Sequence, residues 1–107
     1  MNFTRLSPES LKEIEKLPGI GINSIKMFTA YNGRMRLQDA EIFQALRKAK
    51  ECGILSMFHV ENGDLIDLQV AEAVKAGHFE PIWHARTRSP WGAAGEFFNV
   101  CMLSREA

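Results

Sequence analysis

Lys26 stands inside an apolar run, between Ile25 and Met27-Phe28, with a polar, glycine-bearing turn at Asn32-Gly33 shortly after it. A lysine is costly to bury, because leaving water disfavours its charged form. At such a place it either snorkels to the surface or does chemistry. A second chemically capable residue, His59, follows another apolar run, Ile54-Leu55-Ser56-Met57-Phe58, and precedes Glu61-Asn62-Gly63-Asp64. Whether Lys26 and His59 share a site depends on the elements that carry them.

The other candidates have simpler readings. Glu61 and Asp64 have the chemistry of metal carboxylates, but their spacing suits a turn and a helix cap. Tyr31 reads as a loop aromatic packed on the edge of the core. His78 and His84 lie in an irregular stretch without metal-ligand spacing and read as structural. Trp83 and Trp91 read as packing residues, and Arg86 and Arg88 as solvated or ion-paired ones. No Gly-rich phosphate loop, nucleophile elbow or His-x-His pair occurs.

The chain alternates helical and strand patterns. Ser7-Pro8-Glu9 starts a helix, since Ser7 can cap, Pro8 suits the first helical position and Glu9 complements the positive end. Leu11, Ile14 and Leu17 recur every three residues as one stripe, and Pro18-Gly19 ends the helix. A strand is expected over Ile20–Phe28 and a loop over 29–38. Asp39 is expected to cap a second helix whose apolar face is Ile42, Phe43, Leu46 and Ala49, stopped by Gly53. Ile54–Phe58 reads as a buried strand with His59 just after it. Asp64 is expected to cap a third helix over about 65–76, with Ile66, Val70, Ala73 and Val74 inward and Gly77 as its end. Residues 78–90 read as irregular, with breakers at Pro81 and Pro90, and the tail as a weak helix.

Helices between strands imply parallel βα units, so the fold class is α/β. In such folds the loops after the strands gather at one face, and sites form there. Lys26 and His59 on neighbouring parallel strands could then reach one ligand.

Bulk composition narrows the classes. With 107 residues the chain makes one domain with a modest core. Thirteen basic residues balance thirteen acidic ones, which gives no nucleic-acid or membrane-surface footprint. No apolar run approaches the roughly 18 residues that span a bilayer. The N-terminus lacks the layout of a signal peptide. Cys52 and Cys101 show no metal or redox spacing, which predicts reduced thiols in a cytoplasmic setting.

Three segments taken together resemble the dihydropyrimidinase and D-hydantoinase family of amidohydrolases. They are Gly21-Ile22-Asn23-Ser24-Ile25-Lys26-Met27-Phe28-Thr29-Ala30-Tyr31, then Gly53-Ile54-Leu55-Ser56-Met57-Phe58-His59-Val60-Glu61-Asn62-Gly63-Asp64, then Pro81-Ile82-Trp83-His84-Ala85-Arg86-Thr87-Arg88-Ser89-Pro90. The resemblance implies a partial (β/α)8 TIM-barrel segment over residues 1–90, with about two parallel strands and three to four helices, and a divergent C-terminal tail over 91–107. It implies hydrolytic opening of a small cyclic amide, a dihydropyrimidine or hydantoin, at a site with two divalent cations, zinc in most of the family. By resemblance Lys26 is the lysine that takes up carbon dioxide to become a bridging carbamate (N6-carboxylysine). His59 is a metal ligand, and Tyr31 is a catalytic, substrate-binding tyrosine that steadies the developing oxyanion.

The sequence also departs from that family. The His-x-His pair of such sites is absent, Val60 replaces a small residue after the histidine, and Trp91-Gly92 opens a tail unlike the family's acidic helix. An incomplete donor set is therefore expected. Two open strand edges and an uncovered apolar face are expected too, which a homo-oligomer or a complementing chain would cover. The alternative is a non-catalytic dihydropyrimidinase-related interaction protein, or an inactive remnant.

Overall fold

The computed structural model of the protein describes residues 1–107. Helix α1 (Pro8–Lys16) starts where the Ser7 side chain accepts the Ser10 N–H at 3.2 Å. Its stripe drives Ile14 and Leu17 into the interior. The strand expected from Ile20 begins later. Pro18–Ile20 forms a 3-10 turn, and Gly21 then takes a left-handed φ of 79°, a conformation glycine adopts without steric cost. Strand β1 therefore spans only Ser24–Phe28.

Helix α2 (Asp39–Glu51) buries Ile42, Ala45, Leu46 and Ala49. Its N-cap is Gln38, not Asp39; the Gln38 N–H donates to Glu41 Oε2 at 2.7 Å. Phe43 is only half-buried, beneath the Arg47 guanidinium. Gly53, at φ 66°, releases the chain into β2 (Leu55–His59), so His59 is the last strand residue. Helix α3 (Gly63–Lys75) is capped by Asn62, whose side chain accepts from the Leu65 N–H at 2.9 Å, and not by Asp64. Two further helices follow, the short α4 (Ile82–Arg86) and the long α5 (Pro90–Glu106). The fold is thus α/β with two parallel strands and five helices, one more than the sequence pattern suggested.

The strands pair in parallel with Lys26 opposite Met57 and Phe28 opposite His59. Residues 1–3 occupy the other edge of β1. The Lys26 N–H donates to the Met1 carbonyl at 2.7 Å, and the Phe3 N–H to the Lys26 carbonyl at 2.8 Å. The expectation of two open edges is corrected accordingly, leaving β2 as the exposed one.

The interior is a single cluster from Phe3 to Ile54, built from α1, the inward face of β1, the loop residue Leu37, and α2. Leu103 and Ala107 of the C-terminal end dock on its margin. Each fully buried Ile, Leu or Met contributes on the order of 1.5–3 kcal/mol by leaving water. Helix α3 gains little of this, since Val70 and Val74 of its expected inward face are exposed. The molecule measures 50 × 24 × 21 Å with a radius of gyration of 15.8 Å. A closely packed domain of this length would have about 13 Å, so the C-terminal half extends the molecule beyond its core.

Candidate active site

In a strand successive side chains alternate between faces. With the observed register, Lys26 and Phe28 share one sheet face with Met57 and His59. That face looks away from α1 and α2. Lys26 and His59 are diagonal neighbours across adjacent strands, close enough for two long side chains to meet one ligand. Lys26 is half-buried, with Nζ 5.4 Å from the centre of the Phe28 ring and no carboxylate within ion-pair distance.

Tyr31 lies in the loop after β1 with φ 67°, the only non-glycine residue in the left-handed region. Such a conformation costs roughly 1–3 kcal/mol and persists only where surroundings impose it. Here the N–H groups of Arg34, Met35 and Arg36 all converge on the Tyr31 carbonyl at 3.0–3.3 Å. The loop is also tied to α3. Arg36 Nη1 donates to Asp64 Oδ1 at 2.7 Å and to Asn32 Oδ1 at 2.9 Å, while the Asn32 amide donates to Asp64 and Asp67. These bonds hold the Asp64 carboxyl below the ordinary aspartate range and raise Arg36. Gly63 lets the loop approach, since a Cβ there would meet Asn32 Oδ1 at 2.7 Å.

Held this way, Tyr31 packs edge-on against the buried Phe28 at 6.1 Å between ring centroids, as expected of an aromatic at the core edge, but it does more. It is 37% exposed, its ring stacks on His59 at 5.3 Å between centroids, and its hydroxyl lies 3.2 Å from His59 Nε2. His59 Nε2 also lies 2.8 Å from Glu61 Oε2. Glu61 is thus more than a turn residue, and Asp64 is an ion-pair partner where a cap was expected. The signal for Glu61 was present in the sequence: two residues on along an extended chain, it points the same way as His59.

The remaining candidates lie elsewhere. His78 stacks on Trp83 at 3.9 Å with the rings 10° from parallel, and Arg86 covers the Trp83 ring. Trp91 is 85% exposed, contrary to the packing reading. A cleft of about 360 Å³ opens between α3 and α4, lined by Val70, Val74, His78, Phe79, Trp83 and others. Neither Lys26 nor His59 lines it, so its size does not mark it as the place of the chemistry. No three His, Cys, Asp or Glu side chains gather at metal-binding distance anywhere in the chain.

Comparison with known proteins bears on this arrangement. No family model matches the chain. It is 43% identical over 98 residues to D-hydantoinase of Geobacillus stearothermophilus, an alignment covering 88% of this chain and 21% of that protein. It is 31% identical over 109 residues to dihydropyrimidinase 2 of Caenorhabditis elegans, covering 100% of this chain and 21% of that one. The solved D-hydantoinase of a Bacillus sp. AR9 superposes with a TM-score of 0.93 and 33% identity, over 97% of this chain and 23% of its own. The chain matches one segment of the D-hydantoinase and dihydropyrimidinase family.

The chain spans about a fifth of the length of the curated relatives it matches. The solved dihydropyrimidinase of Brevibacillus agri superposes over 97% of this chain with a TM-score of 0.92 at 32% identity. Both strands and the helix between them therefore follow the backbone path of those two structures, and the likeness extends into α5. No helix is long and apolar enough to cross a membrane.

Proposed function

We propose that this chain supplies Lys26, His59 and Tyr31 to the site of a D-hydantoinase- or dihydropyrimidinase-type hydrolase that opens cyclic amides, and that its strands are part of a (β/α)8 barrel. One observation carries the reading. Lys26 and His59 lie on the same open sheet face, with Tyr31 stacked against the histidine.

The residues fit a metal site in part. Lys26 Nζ has no acidic partner to satisfy it, and one ring nitrogen of His59 is free of hydrogen bonds. The absence of a three-donor group means that these two would be part of a donor set and not the whole of one. Lys26, as a carbamate, and His59 would hold the ions. The unprotonated amine would add to the carbon of CO2: a C–N bond forms as one C=O π pair moves onto oxygen, and the proton on nitrogen passes to water, leaving the carbamate anion. Two divalent cations, zinc by family resemblance, would activate a water and polarise the ring carbonyl. The Tyr31 hydroxyl would donate to the carbonyl oxygen as charge develops there. Its left-handed backbone fixes the ring beside His59 before any substrate arrives, which lowers the cost of orientation.

The exposed Leu55 and Met57 on the same face, at 64% and 41%, favour a homo-oligomer or a complementing chain that covers them. A cytoplasmic setting goes with the free thiols of Cys52 and Cys101.

The test combines zinc binding with carbon-13 NMR under labelled bicarbonate. The expected result is a carbamate resonance that requires zinc, disappears in Lys26→Ala and weakens in His59→Ala. Zinc affinity identical in the parent and both variants would overturn the assignment. Turnover of hydantoin and dihydrouracil by the same samples then reports on substrate class. A second reading, a non-catalytic relative, expects indifference to zinc and to His59→Ala.

A further inference from the structure

The two ring nitrogens of His59 have different surroundings. Nε2 lies 2.8 Å from Glu61 Oε2 and 3.2 Å from the Tyr31 hydroxyl. A carboxylate can only accept a hydrogen bond, so the nitrogen facing it carries the proton. The lone pair of the neutral ring is then on Nδ1, which makes no hydrogen bond within the chain.

The Glu61 main chain is tied to the end of β1. Its backbone N–H donates to Thr29 Oγ1 at 3.0 Å. The Thr29 hydroxyl, only 3% exposed, in turn lies 2.9 Å from the Glu61 carbonyl and 3.3 Å from that of His59. The second carboxylate oxygen, Oε1, lies 3.9 Å from Arg88 Nε, and Arg88 is anchored by donating to the His84 carbonyl at 2.9 Å. Thr29 at the end of β1 therefore fixes the Glu61 backbone, while Arg88 in the turn after α4 lies beside its carboxylate. A carboxylate behind a histidine is a general means of fixing which nitrogen binds a metal and where the ring points.

We propose that Glu61, braced by Thr29 and Arg88, is the positioning residue of His59, holding the proton on Nε2 and presenting Nδ1 as the ligating nitrogen. The ligation clause rests on the metal-site reading above; the tautomer clause does not. A merely structural ion pair would give Glu61 no influence over which nitrogen a metal meets.

The experiment is long-range proton–nitrogen NMR of the histidine-labelled, metal-free chain, with His78 and His84 as internal references. Parent protein should show His59 protonated at Nε2, with a downfield, slowly exchanging Nε2–H. Glu61→Ala should lose that signal. Glu61→Gln, which keeps the shape and one acceptor oxygen, should retain it with faster exchange, and it supplies the answer if the alanine variant does not fold. Arg88→Met should move the exchange rate in the same direction by less. Loading with cadmium-113 should give one-bond coupling to Nδ1 in the parent. Glu61→Ala should lower cadmium affinity about 10–100-fold, with partial rescue in Glu61→Gln. An Nε2–H signal unchanged in both Glu61 variants, or coupling to Nε2 in the parent, overturns the proposal. Coupling to neither nitrogen of His59, with the tautomer result intact, removes the metal-site reading and leaves Glu61 as the residue that sets the ring.

Discussion

Ile25 and Met27 point from β1 onto α1 and α2 and are wholly buried, while Lys26 and Phe28 share the opposite face with Met57 and His59. One five-residue strand thus serves two purposes on alternate residues. The inward face contributes to stability through its packing. The outward face packs less fully, with Phe28 buried against Tyr31 and His59 but Lys26 only half-buried, and it carries the amine and the imidazole. A strand suits this division because a single step along the chain reverses the environment. The same contrast recurs on a larger scale, since the core lies between Phe3 and Ile54 while α3 to α5 leave Phe79, Trp91, Phe97 and Phe98 exposed.

The largest effect is expected on the inward face. Ile25→Ala is expected to cost about 2–5 kcal/mol, the range for emptying a fully buried aliphatic site. Urea melts measure this directly. A loss below about 1 kcal/mol would mean that the two faces do not differ as described.

Gly63→Ala should come next, at about 1–3 kcal/mol. The added methyl would sit 2.7 Å from Asn32 Oδ1 and 3.2 Å from the Ala30 Cα. Asn32 cannot move aside cheaply, because Arg36, Asp64 and Asp67 all hold it. The variant should therefore also displace Tyr31, seen as loss of the ring-current shift that His59 receives from the stacked tyrosine. An unchanged shift would show that the loop is set by its own turn and not by its ties to α3.

Lys26→Ala sharpens the comparison from the other side. Its neighbour Phe28 offers one cation–π contact at 5.4 Å, and such contacts at accessible sites contribute roughly 0.5–1 kcal/mol. Stability should fall by no more than that, while the carbamate signal disappears. A large loss of stability would mean that the lysine is a packing residue.

Much of the architecture was legible because local rules and tertiary demands agreed. Ser7-Pro8 started α1, Gly53 ended α2, and the Leu11, Ile14, Leu17 stripe went inward as its spacing required. Where several local signals competed, the sequence alone did not decide. Gln38 and Asn62 cap helices that the neighbouring Asp39 and Asp64 could have capped, and Asp64 is drawn to Arg36, 28 residues away. Ile20 was expected to open the strand because it continued the apolar run, yet it belongs to the 3-10 turn and is 71% exposed. The shared face of Lys26 and His59 followed from alternation plus parallel pairing. The pairing of Glu61 with His59 two residues earlier had a signal in the chain, but the support of Glu61 by Thr29 and Arg88 was not legible, since it joins elements whose approach no short-range pattern encodes.

The smallest expected effects concern pH, and they separate two carboxylates that both feel Arg36. Asp64 is held below its ordinary value of 3.8, first by the Arg36 hydrogen bond and then by Asn32. A depressed carboxyl stabilises the fold above its unfolded value, and that contribution is lost as pH falls through the lower, folded one. Asp64→Asn should therefore flatten the acid limb of stability below about pH 4, modestly, since the side chain is 72% exposed. Glu96 shifts the other way: burial raises it above 4.5, the Arg36 charge opposes this, and Asp39 and Asp64 add to it. A raised carboxyl favours the protonated fold, so its contribution declines as pH rises from 4.5 through the folded value. Glu96→Gln should accordingly raise the melting temperature at pH 7 and leave it nearly unchanged at pH 3. Thermal melts across pH 2–7 decide between the two signs, and parallel behaviour of the two variants would mean that Arg36, and not burial, governs both groups.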